Sequence, residues 1–150
     1  MSKPRVLFLC TGNACRSQMA EGWLRHLAGE RVEACSAGTD PHGLNPRAVQ
    51  AMADAGVDIS GHASEALDGY LVEGKRPDLV IAVCASAADN CPTVPGAATL
   101  AWPFPDPAPG GQDLGGSEAE IMANFHAVRD AIRERLEAWL AGGAPPLELG

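Results

Sequence analysis

Cys10, Arg16 and Ser17 stand in the stretch CTGNACRS (10–17) at the spacing C-x5-R-S. A thiol, a guanidinium and a hydroxyl so arranged suit one kind of chemistry, the binding and nucleophilic attack of a tetrahedral oxyanion. The intervening residues are enough for the backbone to curl round one such anion with its N–H groups inward. A helix beginning at Arg16 would add its positive end. Gly12 permits a positive φ, and Asn13 tolerates one better than most residues. Arg16 offers a planar fork for two anion oxygens. The same positive field favours thiolate at Cys10, and Ser17 can donate a hydrogen bond to the sulfur. Loops of this kind lower a cysteine pKa by several units from about 8.5. The expected anion site is thus Thr11, Gly12, Asn13, Ala14, Cys15, Arg16 and Ser17, with Cys10 as nucleophile. A pattern with so few fixed positions can arise by chance, and its place between a strand and an amphipathic helix decides for chemistry.

Attack on an oxyanion requires a proton for the leaving oxygen. Asp106 in PFPDPAP (103–109) lies between prolines that restrict the backbone. Alone it reads as a solvated turn aspartate, and beside the cysteine loop as a general acid. Two further thiols, Cys84 and Cys91, form a C-x6-C pair in VCASAADNCP (83–92). Zinc is the wrong reading, because the tight ligand spacing and a nearby histidine are both missing. Two buried cysteines acting as small hydrophobes is the bland alternative. A helix over 84–91 would hold their Cα atoms about 10 Å apart, whereas a disulfide needs about 4.4 to 6.8 Å, so bridging them requires local unwinding. If the strands ending at Cys10 and Cys84 are neighbours, about 5 Å apart, those thiols can meet across the rim of the sheet. This suggests a relay in which Cys10 forms an adduct, Cys84 attacks it and Cys91 captures Cys84. Cys15 and Cys35 suit buried, inert thiols better.

The elements that must position these groups are readable from the apolar pattern. RVLFL (5–9) and DLVIAVC (78–84) are short apolar runs of the kind found in strands covered on both faces. VEACSAG (32–38) and ATLAW (98–102) are further strands. Met19, Ala20, Trp23, Leu24 and Leu27 recur at spacings of three and four, which predicts a helix over 16–28 with one face inward. LNPRAVQAMADAG (44–56) predicts a helix capped by Asn45, with Pro46 at its first position. SEALDGYL (64–71) suits a shorter helical piece. Ser117 caps a last helix, whose inward stripe is Ile121, Phe125, Val128, Ile132, Leu136 and Trp139. Arg129 and Arg133 fall on its solvated side. The proline- and glycine-rich segment 103–116 is a surface loop. Strands alternating with helices imply a single-domain α/β three-layer sandwich, with a four-stranded parallel sheet and helices on both faces. The domain spans 1–142, and 143–150 is a frayed tail. Ligands in such sheets bind beyond the carboxyl ends of the strands, where Cys10 and Cys84 fall.

Bulk properties narrow the setting. With 150 residues, 46% hydrophobic and 20% charged, the chain is an ordinary soluble domain. It has no apolar run near the roughly 20 residues of a membrane span and no signal-peptide pattern, so a cytoplasmic protein is expected. A net charge of −8 argues against nucleic acid and against long-range steering of an anion. Five cysteines, an odd number, suggest catalytic or redox thiols rather than a disulfide framework. Four scattered histidines give no metal-ligand pair.

CTGNACRS with the following QMAEG, WPFPDP (102–107) and the pair Cys84/Cys91 together resemble the thioredoxin-coupled arsenate reductases built on the low-molecular-weight protein tyrosine phosphatase fold. The likeness spans nearly the whole chain. The loop alone is shared with the phosphatases, and its combination with Cys84 and Cys91 points to a reductase. The resemblance implies that Cys10 attacks arsenate, held by Arg16 and the loop amides, while Asp106 protonates the departing oxygen. It further implies a Cys10–Cys84 disulfide on release of arsenite, then a Cys84–Cys91 disulfide reduced by thioredoxin, in a monomer. Some members hold a potassium ion through residues matching Asn13, Glu21 and Ser36 and a Thr-Ser-Asp further on. Here Ala63-Ser64-Glu65 stands in that place, which speaks against an ion, and no cofactor is expected. The rivals are a tyrosine phosphatase using the same Cys10, Arg16 and Asp106, an oxyanion sensor without catalysis, and a reductase served by a small-molecule thiol. Against the phosphatase, Asp106-Pro107 is followed by APGG (108–111), without aromatic residues to clamp an aryl ring, and the only tyrosine is Tyr70.

Overall fold

Two unbroken apolar runs set the centre of the molecule. β1 (Arg5–Cys10) is fully buried from Val6 to Leu9, and β3 (Leu79–Ala82) throughout. Burial of successive residues means that both faces of these strands are covered, as in parallel sheets generally. The computed structural model describes residues 3–83, 94, 96–108 and 115–149. Its other elements are α1 (Arg16–Ala28), β2 (Glu33–Gly38), α2 (Pro46–Asp54), a 3-10 turn (Leu67–Tyr70), β4 (Ala98–Ala101) and α3 (Glu118–Ala141).

The strands form one parallel sheet in the order β2-β1-β3-β4. The expected α/β class holds, and β1 and β3 are neighbours, with Leu9 opposite Ala82. β4, at the edge, is short and mostly exposed. From β1 the chain builds outward to β2 on one side and then to β3 and β4 on the other. Their carboxyl ends therefore flank a switch point, where such sheets bind ligands.

The starts of α2 and α3 have local causes. Asn45 accepts the Arg47 N–H at 2.8 Å, and Pro46 needs no acceptor of its own. Ser117 and Glu120 form a reciprocal capping box, and Glu118 adds a second carboxylate to the first turn of α3. α1 differs: its N-cap is Cys15, without a side-chain cap, and its first turn carries no acidic residue. Its positive end is left for another anion.

The three α-helices pack against one another, and α1 also packs on β1 and β2. The Trp23 indole donates to the Arg129 carbonyl at 3.1 Å, and the Arg133 guanidinium lies 4.7 Å from the Trp23 ring. Arg129 is not on a solvated face. Its side chain is 13% exposed and donates to the Ala51 carbonyl at 2.8 Å, tying α3 to α2. α1 buries more than one stripe, because Ser17, Gln18 and Glu21 join the apolar residues inside.

Residues 143–149, expected to fray, turn back instead. Trp139 donates to the Pro145 carbonyl at 2.8 Å, Ala144 is fully buried, and Leu147 and Leu149 pack on the core. A nearly buried indole N–H needs an acceptor, and the tail supplies it. Among the described residues no helix is long and apolar enough to cross a membrane.

Candidate active site

The loop between β1 and α1 is shaped by where its carbonyls go. The Cys10, Thr11 and Gly12 carbonyls accept from Thr39 N (3.3 Å), Asp40 N (2.8 Å) and His42 N (2.8 Å), and the Ala14 carbonyl accepts from Asn45 N (3.1 Å). The Asn13 carbonyl accepts from Gln18 Nε2 at 3.1 Å. Every carbonyl from Cys10 to Ala14 is thus engaged by the segment after β2 or by α1. In a trans peptide the N–H points opposite to the C=O, so the amides of residues 11–15 are turned the other way. Residues 39–45 thus hold the loop with its amides turned to one side.

Asn13 takes the left-handed conformation, with φ 47°. The sequence also allowed a positive φ at Gly12, but Gly12 does not use it. A Cβ at Gly12 would lie 3.2 Å from Nδ1 of the half-exposed His42 ring. Asn13 is fully buried and bonded on all sides. Nδ2 donates to Ser17 Oγ (2.9 Å) and Ser36 Oγ (3.0 Å), and Oδ1 accepts from Glu65 N (2.8 Å) and Gln18 Nε2 (3.2 Å). Ser17, accepting from Asn13, keeps its own proton to donate.

A cleft of about 420 Å3 opens over this loop, lined by Cys10, Thr11, Gly12, Ala14, Cys15, Arg16, His42 and Asp106 among others. Arg16 lies across it, with Nη1 donating to the Phe104 carbonyl at 3.1 Å and Nη2 paired with Asp106 Oδ2 at 3.1 Å. The Phe104 N–H in turn donates to the Val83 carbonyl at 3.1 Å, so the loop carrying Asp106 hangs from the end of β3. The Ala108 N–H binds Asp106 Oδ1 at 2.9 Å and fixes the carboxylate within its own turn.

Cys10, Cys15 and Cys35 are buried thiols. Burial, reinforced by the negative charge of Asp106, pushes Cys15 up to about 12 despite Arg16. Burial and then Glu21 push Cys35 up to about 12 as well. The structure thus brings Cys10, Arg16, Asp106 and the loop residues 11–17 to one cleft and its supports. Cys84 and Cys91 lie outside the described residues.

Sequence reasoning gave no site role to residues 39–45 or to Gly38. A Cβ on Gly38 would lie 2.6 Å from the Thr11 carbonyl oxygen, so the loop rests directly on the end of β2. No spacing rule links these residues to Cys10, and only the β1–β2 register, with Cys10 opposite Gly38, brings them together.

Behind the loop, Ser36 Oγ donates to Glu21 Oε1 at 2.6 Å, and Arg25 Nη2 donates to Glu21 Oε2 at 2.6 Å. Arg25 Nη2 also reaches the Ala34 carbonyl at 2.9 Å, and Nη1 lies 2.7 Å from His62 Nε2. A potassium ion would need the oxygens of Asn13, Glu21 and Ser36 turned toward it with no other cation on them. A guanidinium on Glu21, and hydroxyl and amide protons directed along these bonds, do not fit one.

Fold and site define a class: a one-sheet α/β protein in which a cysteine at the end of β1 and an arginine at the start of α1 frame an anion cradle. The chain belongs to the low molecular weight phosphotyrosine protein phosphatase family, whose model matches residues 5–144. The arsenate reductase of Bacillus licheniformis is 46% identical over 144 residues, 95% of this chain and 99% of the relative. A solved arsenate reductase in a phosphate-binding state superposes with a TM-score of 0.74 at 29% identity, covering 93% of this chain and 98% of the other. The thioredoxin-dependent arsenate reductase of Corynebacterium glutamicum superposes with a TM-score of 0.64 at 29% identity, covering 93% of this chain and 63% of the other.

Proposed function

We propose that this chain is an arsenate reductase that returns to its reduced form through thioredoxin. The observation that carries the reading is the cleft that unites Cys10, Arg16 and Asp106 over a loop whose carbonyls all point away from it, in a chain 46% identical to an arsenate reductase. The Cys10 thiolate attacks arsenic and displaces a hydroxyl group, which leaves as water after taking a proton from Asp106. Arg16 and the amides of 11–15 hold the remaining oxygens. The Cys84 thiolate then attacks Cys10 Sγ. The S–As bond breaks, its electron pair reduces arsenic from V to III, and arsenite departs as a Cys10–Cys84 disulfide forms. Cys91 attacks Cys84 Sγ and frees Cys10, leaving Cys84–Cys91 for the thioredoxin dithiol to reduce. The reading takes the protein as a cytosolic monomer.

A small inorganic anion suits this cleft better than an aryl phosphate. Tyr70 is not among the residues lining it and instead donates to Glu65 Oε2 at 2.8 Å behind the loop. The test is NADPH oxidation with thioredoxin and thioredoxin reductase, with and without arsenate, on wild type and Cys91→Ser. Arsenate-dependent consumption that disappears in the variant is expected. No consumption by wild type, with rapid cleavage of an aryl phosphate, would make the chain a phosphatase.

A further inference from the structure

Glu21, on α1, is 8% exposed and lies directly behind the oxyanion loop. A carboxylate so placed needs a compensating charge and filled hydrogen bonds. The residue that answers it is one turn further along the same helix. We propose that the Arg25 guanidinium is a built-in cation that holds the loop in its anion-binding shape, and that turnover by this chain is therefore indifferent to potassium. The inference rests on reading the loop as an arsenate site.

Two chains of hydrogen bonds leave Arg25 and both end on Asn13. In the first, Arg25 Nη2 binds Glu21 Oε2, and Glu21 Oε1 accepts from Ser36 Oγ, each at 2.6 Å. Ser36, having given its proton to Glu21, accepts from Asn13 Nδ2 at 3.0 Å. In the second, Arg25 Nη1 meets His62 Nε2 at 2.7 Å. A guanidinium only donates, so Nε2 accepts and the ring proton is on Nδ1, which donates to Gln18 Oε1 at 3.0 Å. Gln18 Nε2 then donates to the Asn13 carbonyl at 3.1 Å and to the Ala63 carbonyl at 3.0 Å. One chain fixes the Asn13 side chain and the other its main chain, at the residue whose φ of 47° turns the loop. Arg25 sets the direction of the second, because a guanidinium has no acceptor, and the Glu21 carboxylate that it neutralises, having no donor, sets that of the first.

A bond from Arg25 Nη2 to the Ala34 carbonyl at 2.9 Å holds the guanidinium against β2. Burial holds His62 below its usual pKa and Arg25 reinforces this, while Glu21 opposes it. A neutral ring is what the Arg25–His62 bond requires. The opening beside Arg25, about 600 Å3 and lined by Glu21, Arg25, His62 and Glu65 among others, connects the group to solvent. Arg25, half exposed, can thus be removed without emptying a sealed core, and a small cation could then reach Glu21. Arg25 is a positioning residue, since it touches the loop only through others.

The experiment compares wild type, Arg25→Ala and Arg25→Lys in potassium chloride and in tetramethylammonium chloride of equal ionic strength. It reads kcat and KM for arsenate and the thermal unfolding midpoint. Wild-type kcat/KM should agree within about twofold between the salts. Arg25→Ala should lose about tenfold or more in tetramethylammonium, mostly through KM, and recover much of it in potassium, with a raised unfolding midpoint. Arg25→Lys should stay near wild type in both salts. Several-fold potassium activation of wild type would overturn the proposal, and that arm needs no variant. Unchanged kcat/KM in Arg25→Ala would overturn it too. If wild type reduced no arsenate in either salt, the activity reading would fall and the unfolding arm would still decide. Potassium must then raise the midpoint of Arg25→Ala and not that of wild type, and equal responses overturn the cation role.

Discussion

Arg16 Nη2 and Asp106 Oδ2 stand 3.1 Å apart, joining the start of α1 to the proline-rich loop after β4. The two residues proposed to hold the anion and to supply the proton are therefore coupled, and substituting either affects the other. Asp106→Asn removes the carboxyl proposed to carry the proton, and with it the ionic partner of Arg16. The expected single-turnover result is a rate of Cys10 adduct formation about a hundredfold lower, with arsenate affinity unchanged or tighter. Weaker affinity at an unchanged rate would make Asp106 a clamp for Arg16 and no acid.

Gly38→Ala should cripple the loop from below, because the new Cβ would lie 2.6 Å from the Thr11 carbonyl oxygen and 3.0 Å from Asn13 N. Both neighbours are backbone and cannot swing aside. Overpacking of this kind costs about 1–3 kcal/mol, or about 3 to 10 °C in Tm for a domain of this size. kcat/KM should fall at least about tenfold. Gly22→Ala is the control: its Cβ would lie 2.6 Å from Ile59 Cγ2, so it should lower Tm comparably while activity in the cold survives. Equal activity loss in both variants would mean that stability, not loop shape, is responsible.

Cys15 and Cys35 should resist alkylation in the native protein. With thiols pushed up to about 12, about one molecule in ten thousand carries the thiolate at pH 8. Peptide mass spectrometry after brief iodoacetamide treatment should find both unmodified, and modified only when denaturant is added first. Rapid native labelling of Cys15 would show a thiolate stabilised inside the cradle.

Tyr70, the only tyrosine, should not ionise with its ordinary midpoint. Burial first, then its hydrogen bond to Glu65, raise its pKa. Above pH 10 the unfolded chain releases the phenolic proton while the folded chain keeps it. The folded state then binds more protons, so its stability falls as pH rises through that range and is unaffected below it. Absorbance at 295 nm should show phenolate appearing together with unfolding, at a pH above 10. A free phenolate signal at pH 10 in folded protein would contradict the Tyr70–Glu65 bond, and with it one anchor of the segment that supplies Glu65 N to Asn13.

Much of this molecule was legible from local chemistry. Val6–Leu9 and Leu79–Ala82 read as buried strands because unbroken short apolar runs suit sheets covered on both faces. Asn45-Pro46 and Ser117 marked helix starts because capping is settled within one turn. The cradle was visible as C-x5-R-S because its residues are consecutive, and Asp106 was visible only as a companion to it. The tail was misjudged because the need of Trp139 for an acceptor at Pro145 is not written in the composition of GGAPPLELG.

By itself the sequence determined the strand that ends at Cys10, the helix that begins at Arg16 and the short loop between them, since each depends on neighbours a few residues apart. The tertiary structure decided that Gly38 floors the loop, that residues 39–45 pull its carbonyls outward, and that Ser36 and His62 meet the Glu21–Arg25 pair behind it. These contacts arise from parallel pairing of β1 with β2 and from α1 returning over both. Pairing sets residues far apart in the chain within bonding distance, and no local propensity encodes it.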